Sequence, residues 1–145
     1  MLPEAIELIV VTPERELLRE TVVEVTIPGL EGELGILPGH APLMTELGIG
    51  KLSYRTATTS HPTALSVVRG FAEVLPERVT VLAETAERAA EIDLARAEAA
   101  LARAEKRLAS FERDLDWERA TVALQRALIR IQIAKKYRGA PVEMR

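Results

Sequence analysis

The chain has 145 residues, 48% of them hydrophobic and 28% charged, with a net charge of -3; it is sized for one ordinary domain or two small ones, not for a disordered tail. The absence of cysteine and the presence of only two histidines, His40 and His61, leave no disulfide, no thiolate and no paired-histidine metal chemistry, so no metal site is expected. With 3% aromatics and a mild acidic balance nucleic acid is not an expected partner, and neither a membrane span of roughly 20 apolar residues nor the basic start of a signal peptide is present.

Short, β-branched and mostly alternating segments fill the first half: Ala5 to Val11, Val22 to Ile27, Lys51 to Arg55, Ala64 to Val68, Phe71 to Leu75 and Arg78 to Leu82. Glycine or proline separates several of them, which predicts strands. A run of period-2 strands has one apolar face to cover, so the spacing predicts an antiparallel sandwich or flattened barrel. Between the second and third of these segments, Glu31 to Pro42 holds Glu31, Glu33 and His40 among glycines and prolines. An enzyme would use a carboxylate there as general base with His40 as its partner. No nucleophile accompanies them and there is no phosphate loop, so an exposed contact loop is the simpler reading.

No glycine or proline lies between Glu77 and Arg138, and the net charge changes from -5 through Leu82 to +2 beyond it. Leu94, Ala97, Leu101, Ala104, Leu108 and Phe111 step by three and four residues, as do Trp117, Ala120, Leu124, Ala127, Ile131 and Ala134. That period predicts two helices, each with one narrow apolar seam. Asp93 is placed to cap the first, and Asp114 or Asp116 the second, across the polar turn Arg113 to Asp116. The fold class is therefore α+β: an N-terminal antiparallel β-sandwich over 1–84, a C-terminal antiparallel two-helix hairpin over 85–138 and a tail over 139–145.

The arginines of the hairpin divide by their neighbours. Arg96 has Asp93 three residues before it, and Asp116 stands three residues from both Arg113 and Arg119. Arg103, Arg107, Arg126 and Arg130 have no acidic residue three or four positions away, and they form two like-charge pairs at i, i+4, each costing a few tenths of a kcal/mol. Asp93, Arg96, Ala100, Arg103 and Arg107 make one stripe displaced by a residue from the seam. If Arg126 and Arg130 flank the same side, guanidinium forks and a carboxylate face one space. Such a space suits a polyphosphate joined to a hydroxyl- or amine-bearing group; the alternative is a solvated basic face or a surface for an acidic partner.

Three stretches resemble one known family, the epsilon subunits of bacterial F-type ATP synthase, counterparts of the chloroplast epsilon and mitochondrial delta subunits. They are Ile27 to Leu43 (IPGLEGELGILPGHAPL), Gly70 to Val74 (GFAEV), and Ala86 to Ala89 leading into Ile92 to Ala97 (IDLARA). The resemblance implies a β-sandwich followed by a helical hairpin, in agreement with the periodicity. It also implies a non-catalytic rotor subunit on the cytoplasmic face of the membrane, peripheral to it, touching the gamma subunit and the ring of c subunits. Glu33 and His40 are then contact candidates. An extended hairpin would meet the alpha and beta subunits of the catalytic head and block ATP hydrolysis, a use for Arg113, Arg119, Arg126 and Arg130. Ile92-Asp93-Leu94-Ala95-Arg96-Ala97 matches the motif with which some members bind ATP as a regulatory ligand. It implies Asp93, Arg96, Arg103, Arg126 and Arg130 as ATP-binding positions, with Glu87 beside them. The alternative within the family is a structural rotor adaptor that binds no nucleotide. Relatives often carry two glycines where this chain has Arg69-Gly70, and a shorter turn in place of Thr56 to Thr63.

Overall fold

The computed structural model describes residues 2–110 and 113–137. Seven strands come first: β1 (Ile6–Val11), β2 (Glu16–Val22), β3 (Glu24–Gly29), β4 (Gly32–Ile36), β5 (Leu43–Arg55), β6 (Thr63–Leu75) and β7 (Arg78–Arg88). A 3-10 turn over Ala89–Glu91 leads to α1 (Leu94–Ala109) and α2 (Trp117–Tyr137). Two compact units divide after Glu87.

In the first unit the strand order is β2-β1-β7-β6-β5-β3-β4. Pairing is antiparallel at β1–β2, β3–β4, β3–β5 and β5–β6 but parallel at β1–β7. The sheet is therefore mixed at one seam, where the first strand inserts beside the last. Its inward residues form one core that includes Leu8, Val10, Val25, Ile27, Ile36, Leu52, Leu65, Val79 and Val81, each no more than 1% exposed. A sheet of this length closes on itself because alternation leaves an apolar side that water would otherwise cover.

The expected strands Ala64 to Val68 and Phe71 to Leu75 are one continuous strand, β6, paired with β5 from Tyr54–Thr63 to Leu43–Val74. Arg69 and Gly70 within it have φ of 53° and 128°, so the backbone turns locally without ending the ladder. A Cβ on Gly70 would stand 2.0 Å from the Leu82 carbonyl oxygen; glycine lets β7 pass there. The expected strand over Val22 to Ile27 straddles a bend at Val23 between β2 and β3. The connection after β5 is closed by threonines: Thr56 N donates to Thr59 Oγ1 at 3.3 Å, and the two hydroxyls lie 3.0 Å apart.

In the second unit the caps follow the expected pattern. Asp93 Oδ1 accepts from Arg96 N, and Asp116 Oδ1 from Arg119 N, both at 3.0 Å. The two aspartates thus satisfy backbone donors at the helix starts rather than only offering partners to guanidinium groups. Ala97 and Ala104 of α1, with Ala120, Ala127 and Ala134 of α2, are buried, while Leu94, Leu101, Leu108, Leu124 and Ile131 are half-buried around them. Seven-residue spacing of a small side chain on both helices brings the axes close. Trp117, expected on the seam, is 49% exposed, and Phe111 lies outside the described residues. Ile133, absent from the expected seam, is fully buried with Ala89, Ile92 and Ala134, and Leu94, Ile129 and Tyr137 pack on this cluster.

Candidate functional site

The arginine flank is fixed by periodicity and one contact. At 3.6 residues per turn, Glu98 and Glu105 lie to one side of the alanine line on α1, and Arg96, Arg103 and Arg107 to the other. On α2, Lys135 lies to one side and Arg119, Arg126 and Arg130 to the other. Lys135 Nζ stands 3.9 Å from Glu98 Oε2, so those two sides are the same flank of the hairpin. The six arginines share the opposite one. Equal rise along both helices carries the register onward from that pair. Five residues on, Arg103 comes level with Arg130; nine residues on, Arg107 comes level with Arg126.

Among the described residues no carboxylate of α1 or α2 stands on this flank. Arg96, Arg103, Arg107, Arg119 and Arg126 are exposed and Arg130 is half-buried. At the open end of the hairpin, Ile133 sits three residues beyond Arg130 on the same face, and Ile92 packs against it, so an apolar cluster adjoins Asp93. The flank can therefore offer an acceptor and a run of guanidinium donors in sequence, with the buried Ile92–Ile133 cluster beneath its open end. Forked guanidinium donors are suited to phosphate oxygens. Glu87, at the end of β7, is half-buried and belongs to the first unit. Arg113 is exposed in the turn before α2.

The sheet supplies a different kind of surface. Glu33 is exposed on β4, in register with Pro28 of β3. It lines a shallow depression of about 320 Å³ with Leu30, Glu31, Gly32, Leu34 and Glu46. His40 is half-buried in the Leu37 to Pro42 loop; its Nδ1 lies 2.7 Å from the Ala41 carbonyl oxygen, to which it donates. That loop is tied to the β6–β7 connection, since Gly39 N donates to Pro76 O at 2.8 Å. Glu31 lies in the turn before β4 and Glu33 on β4 itself, with His40 in the loop that follows.

Sequence reasoning missed an apolar outer face. Met44, Phe71 and Leu82 are 63%, 53% and 53% exposed; Leu82 alternates with the buried Val81 and Ala83 on β7 and Phe71 precedes the buried Ala72 on β6, while Met44 on β5 stands between exposed Leu43 and half-buried Thr45. The signal was present in Gly70-Phe71-Ala72-Glu73-Val74: with Ala72 and Val74 inward, period 2 puts Phe71 outward. On the β2–β1–β7 side the outer face is charged instead. Glu7 accepts from Arg19 at 2.8 Å and stands 3.3 Å from Arg78, and Arg19 also pairs with Glu16 at 2.8 Å. Hydrogen bonds that Arg19 donates to Glu16 first, then to Glu7, hold its guanidinium above the usual range.

Comparison with known proteins agrees over both units. Residues 5–89 match the family model described as ATP synthase, Delta/Epsilon chain, beta-sandwich domain, and residues 90–135 match its long alpha-helix domain. The ATP synthase epsilon chain of Syntrophobacter fumaroxidans is 47% identical over 133 residues, covering 92% of this chain and 98% of that one. The epsilon chain of Herpetosiphon aurantiacus is 50% identical over 134 residues, covering 92% and 97%. Among solved structures, a chain of the Euglena gracilis mitochondrial ATP synthase (OSCP/F1/c-ring) superposes with a TM-score of 0.77 at 25% identity, covering 88% of this chain and 80% of that chain. A chain of the Tetrahymena thermophila mitochondrial ATP synthase central stalk and c-ring shares the fold, with a TM-score of 0.55 at 16% identity.

Proposed function

The chain belongs to the delta/epsilon family of the ATP synthase, and from that premise we propose that it is a non-catalytic coupling and regulatory subunit of the central stalk. In this reading the sandwich joins the gamma subunit to the ring of c subunits at the cytoplasmic face of the membrane. No helix among the described residues is long and apolar enough to cross a membrane, which is compatible with a peripheral position. The apolar outer face of Met44, Phe71 and Leu82 is suited to burial against gamma. The acidic depression around Glu33, with exposed Leu30 and Leu37 and the His40 loop, is suited to the loops of the ring.

The hairpin is the regulatory element of the proposal. Two helices sharing one narrow seam are marginal by themselves, so a ligand or partner that favours one arrangement shifts the population between arrangements. Extended, the hairpin presents Arg113 and Arg119 to the alpha and beta subunits and inhibits ATP hydrolysis. Folded, it binds ATP. The observation that carries this is the shared arginine flank, with Asp93 at one end. Asp93 accepts from the ribose or base of the nucleotide, while Arg96, Arg103, Arg126 and Arg130 take the phosphates. At an ATP concentration a hundred times Kd, binding stabilises the folded form by about 2.7 kcal/mol.

The test is the thermal midpoint of the full chain against ATP from micromolar to several millimolar, with ADP and GTP as controls. A saturable, ATP-selective rise that Arg126→Glu abolishes is expected. A flat response would remove nucleotide from the proposal, leaving a rotor adaptor whose arginines dock on acidic partner surfaces.

A further inference from the structure

The end of α1 carries a hydroxyl that neither the coupling role nor the nucleotide reading uses. In Lys106-Arg107-Leu108-Ala109-Ser110-Phe111 an arginine stands three residues before a serine and an apolar residue follows it, and no other serine of the chain has arginine at that distance. A serine kinase with an acidic cleft reads this pattern, because the cations before the acceptor pair with its carboxylates. Ser110 is the C-cap of α1, exposed and in helical backbone geometry, and its Oγ donates to the Arg107 carbonyl oxygen at 2.8 Å. Lys106 and Arg107 are exposed beside it.

Placement decides what a phosphoryl group on Ser110 would meet. Ser110 lies three residues beyond Arg107 and seven beyond Arg103, which puts it on the arginine side of α1. Counted from the Glu98–Lys135 level, it is twelve residues towards the turn, while Arg126 of α2 is nine and Arg119 sixteen. The two α2 arginines therefore start about 4.5 Å and 6 Å from it along the axis, one on either side. Arg107, Arg119 and Arg126 are exposed and have no salt-bridge partner among the described residues. Asp114 and Asp116 lie farther into the turn, and Asp116 is engaged as the cap of α2. A dianion at a helix C-terminus opposes the helix dipole, and the hydroxyl bond to Arg107 is lost. Against this stand charge-assisted guanidinium bonds, each about twice as strong as a neutral one, and relief of the Arg103–Arg107 repulsion. With two or more such bonds the guanidinium contacts prevail.

We infer that Ser110 is a phosphoacceptor for a serine kinase that reads basic residues, and that the phosphoryl group, gripped by Arg107 of α1 and by Arg119 and Arg126 of α2, ties the turn end of the hairpin together. In the transfer, Ser110 Oγ bonds to the γ-phosphorus of ATP and the bond from that phosphorus to the β–γ bridging oxygen breaks. ADP leaves with that oxygen, and the hydroxyl proton passes to the kinase's base. The site stands on the geometry of the hairpin; its effect on ATP, through capture of Arg126, rests on the nucleotide reading.

The full chain is offered to the catalytic subunit of cyclic-AMP-dependent protein kinase with ATP, and the product is mapped by peptide mass spectrometry. Phosphorylation of Ser110 is expected, absent in Ser110→Ala and at least about tenfold slower in Arg107→Ala, the loss of one charge-assisted contact. A second sample carries phosphorylated Ser110 by genetic encoding of phosphoserine. Its phosphorus NMR titration should give a second pKa below the ordinary value of about 6, because guanidinium groups favour the dianion, and Arg119→Ala with Arg126→Ala should bring it back. Lys135→Ala with Lys136→Ala removes equal charge at the far end of α2 and should leave it in place. The modified chain should also need more urea to lose its hairpin, read by Trp117 fluorescence, and should bind ATP at least about tenfold more weakly. Phosphate only at other positions, or on Ser110 irrespective of Arg107, would overturn the site. An ordinary phosphate pKa, a shift that the lysine pair removes equally, or a hairpin weaker in urea would overturn the grip, as would an unchanged ATP affinity. ATP failing to bind the unmodified chain would refute the nucleotide reading alone, since the phosphate titration contains no nucleotide.

Discussion

Replacing Gly70 with alanine probes the closest backbone approach in the sandwich. Its φ of 128° is disfavoured for any L side chain, and the new Cβ would meet the Leu82 carbonyl oxygen at 2.0 Å and Ala83 Cα at 2.9 Å. These are backbone atoms of β7, so no rotamer change gives relief; β6 and β7 must separate around a packed core. Backbone strain of this type costs about 1–3 kcal/mol, and forcing packed elements apart costs about 1–3 kcal/mol more. Taking about 4 kcal/mol, a unit of this size loses roughly 15–30 °C in Tm, at about 4–8 °C per kcal/mol. Far-UV circular dichroism of the full chain follows the strands, while fluorescence of Trp117, the single tryptophan, follows the hairpin and separates the two transitions. A sandwich transition that falls by less than about 3 °C would refute the close approach of β6 and β7.

Arg69→Gly acts in the opposite direction. Among the described residues Arg69 is the non-glycine residue held at positive φ, and its release should stabilise by about 0.5–1 kcal/mol after glycine's own entropy is subtracted, read as a rise in the same strand transition. Asp93→Ala and Asp116→Ala should each cost about 0.5–2 kcal/mol, with faster amide exchange at Arg96 and Arg119 as the local signature. Ile133→Ala should cost about 2–5 kcal/mol by urea titration of Trp117 fluorescence, whereas Leu128→Ala, at a position 48% exposed, should stay within about 0.5 kcal/mol. Ala104→Leu should destabilise the hairpin by about 1–3 kcal/mol, because a larger side chain on the alanine line pushes the helices apart.

The hairpin was legible because its signals are local. Periodicity gave both helices, and the caps at Asp93 and Asp116 follow from their position before the apolar repeat. What it could not give was Ile133, whose burial depends on the 3-10 turn at Ala89–Glu91 packing back on α2. The strands were less legible where neighbours set the rules. In β2 both Leu17 and Leu18 are buried while Glu16 and Arg19 to Thr21 are exposed, which breaks alternation. In β4 and early β5, glycines that read as turn residues lie within the ladder. A Cβ at Gly50 would meet Pro28 Cβ at 2.8 Å, so glycine there serves close strand crossing and not chain reversal. The Arg69-Gly70 step likewise reads as a turn, yet the ladder to β5 continues through it. For the candidate site, charge accounting singled out Arg103, Arg107, Arg126 and Arg130, but their common flank required the register that the Glu98–Lys135 pair supplies.

The parallel pairing of β1 with β7 also orders events during synthesis. Ile6 to Val11 leave the ribosome early, yet the strand that covers them, reaching Leu82 in register with Val11, follows about 70 residues later. At roughly 5–20 residues per second, the β1–β2 ribbon waits about 4–14 s with one long side unpaired, a period in which strand edges are open to wrong partners. The sandwich thus closes only as its final strand emerges, immediately before the helical hairpin is made. A nascent chain halted before Arg78 should engage chaperones, and one halted once Arg88 has cleared the ribosome should already hold its sandwich.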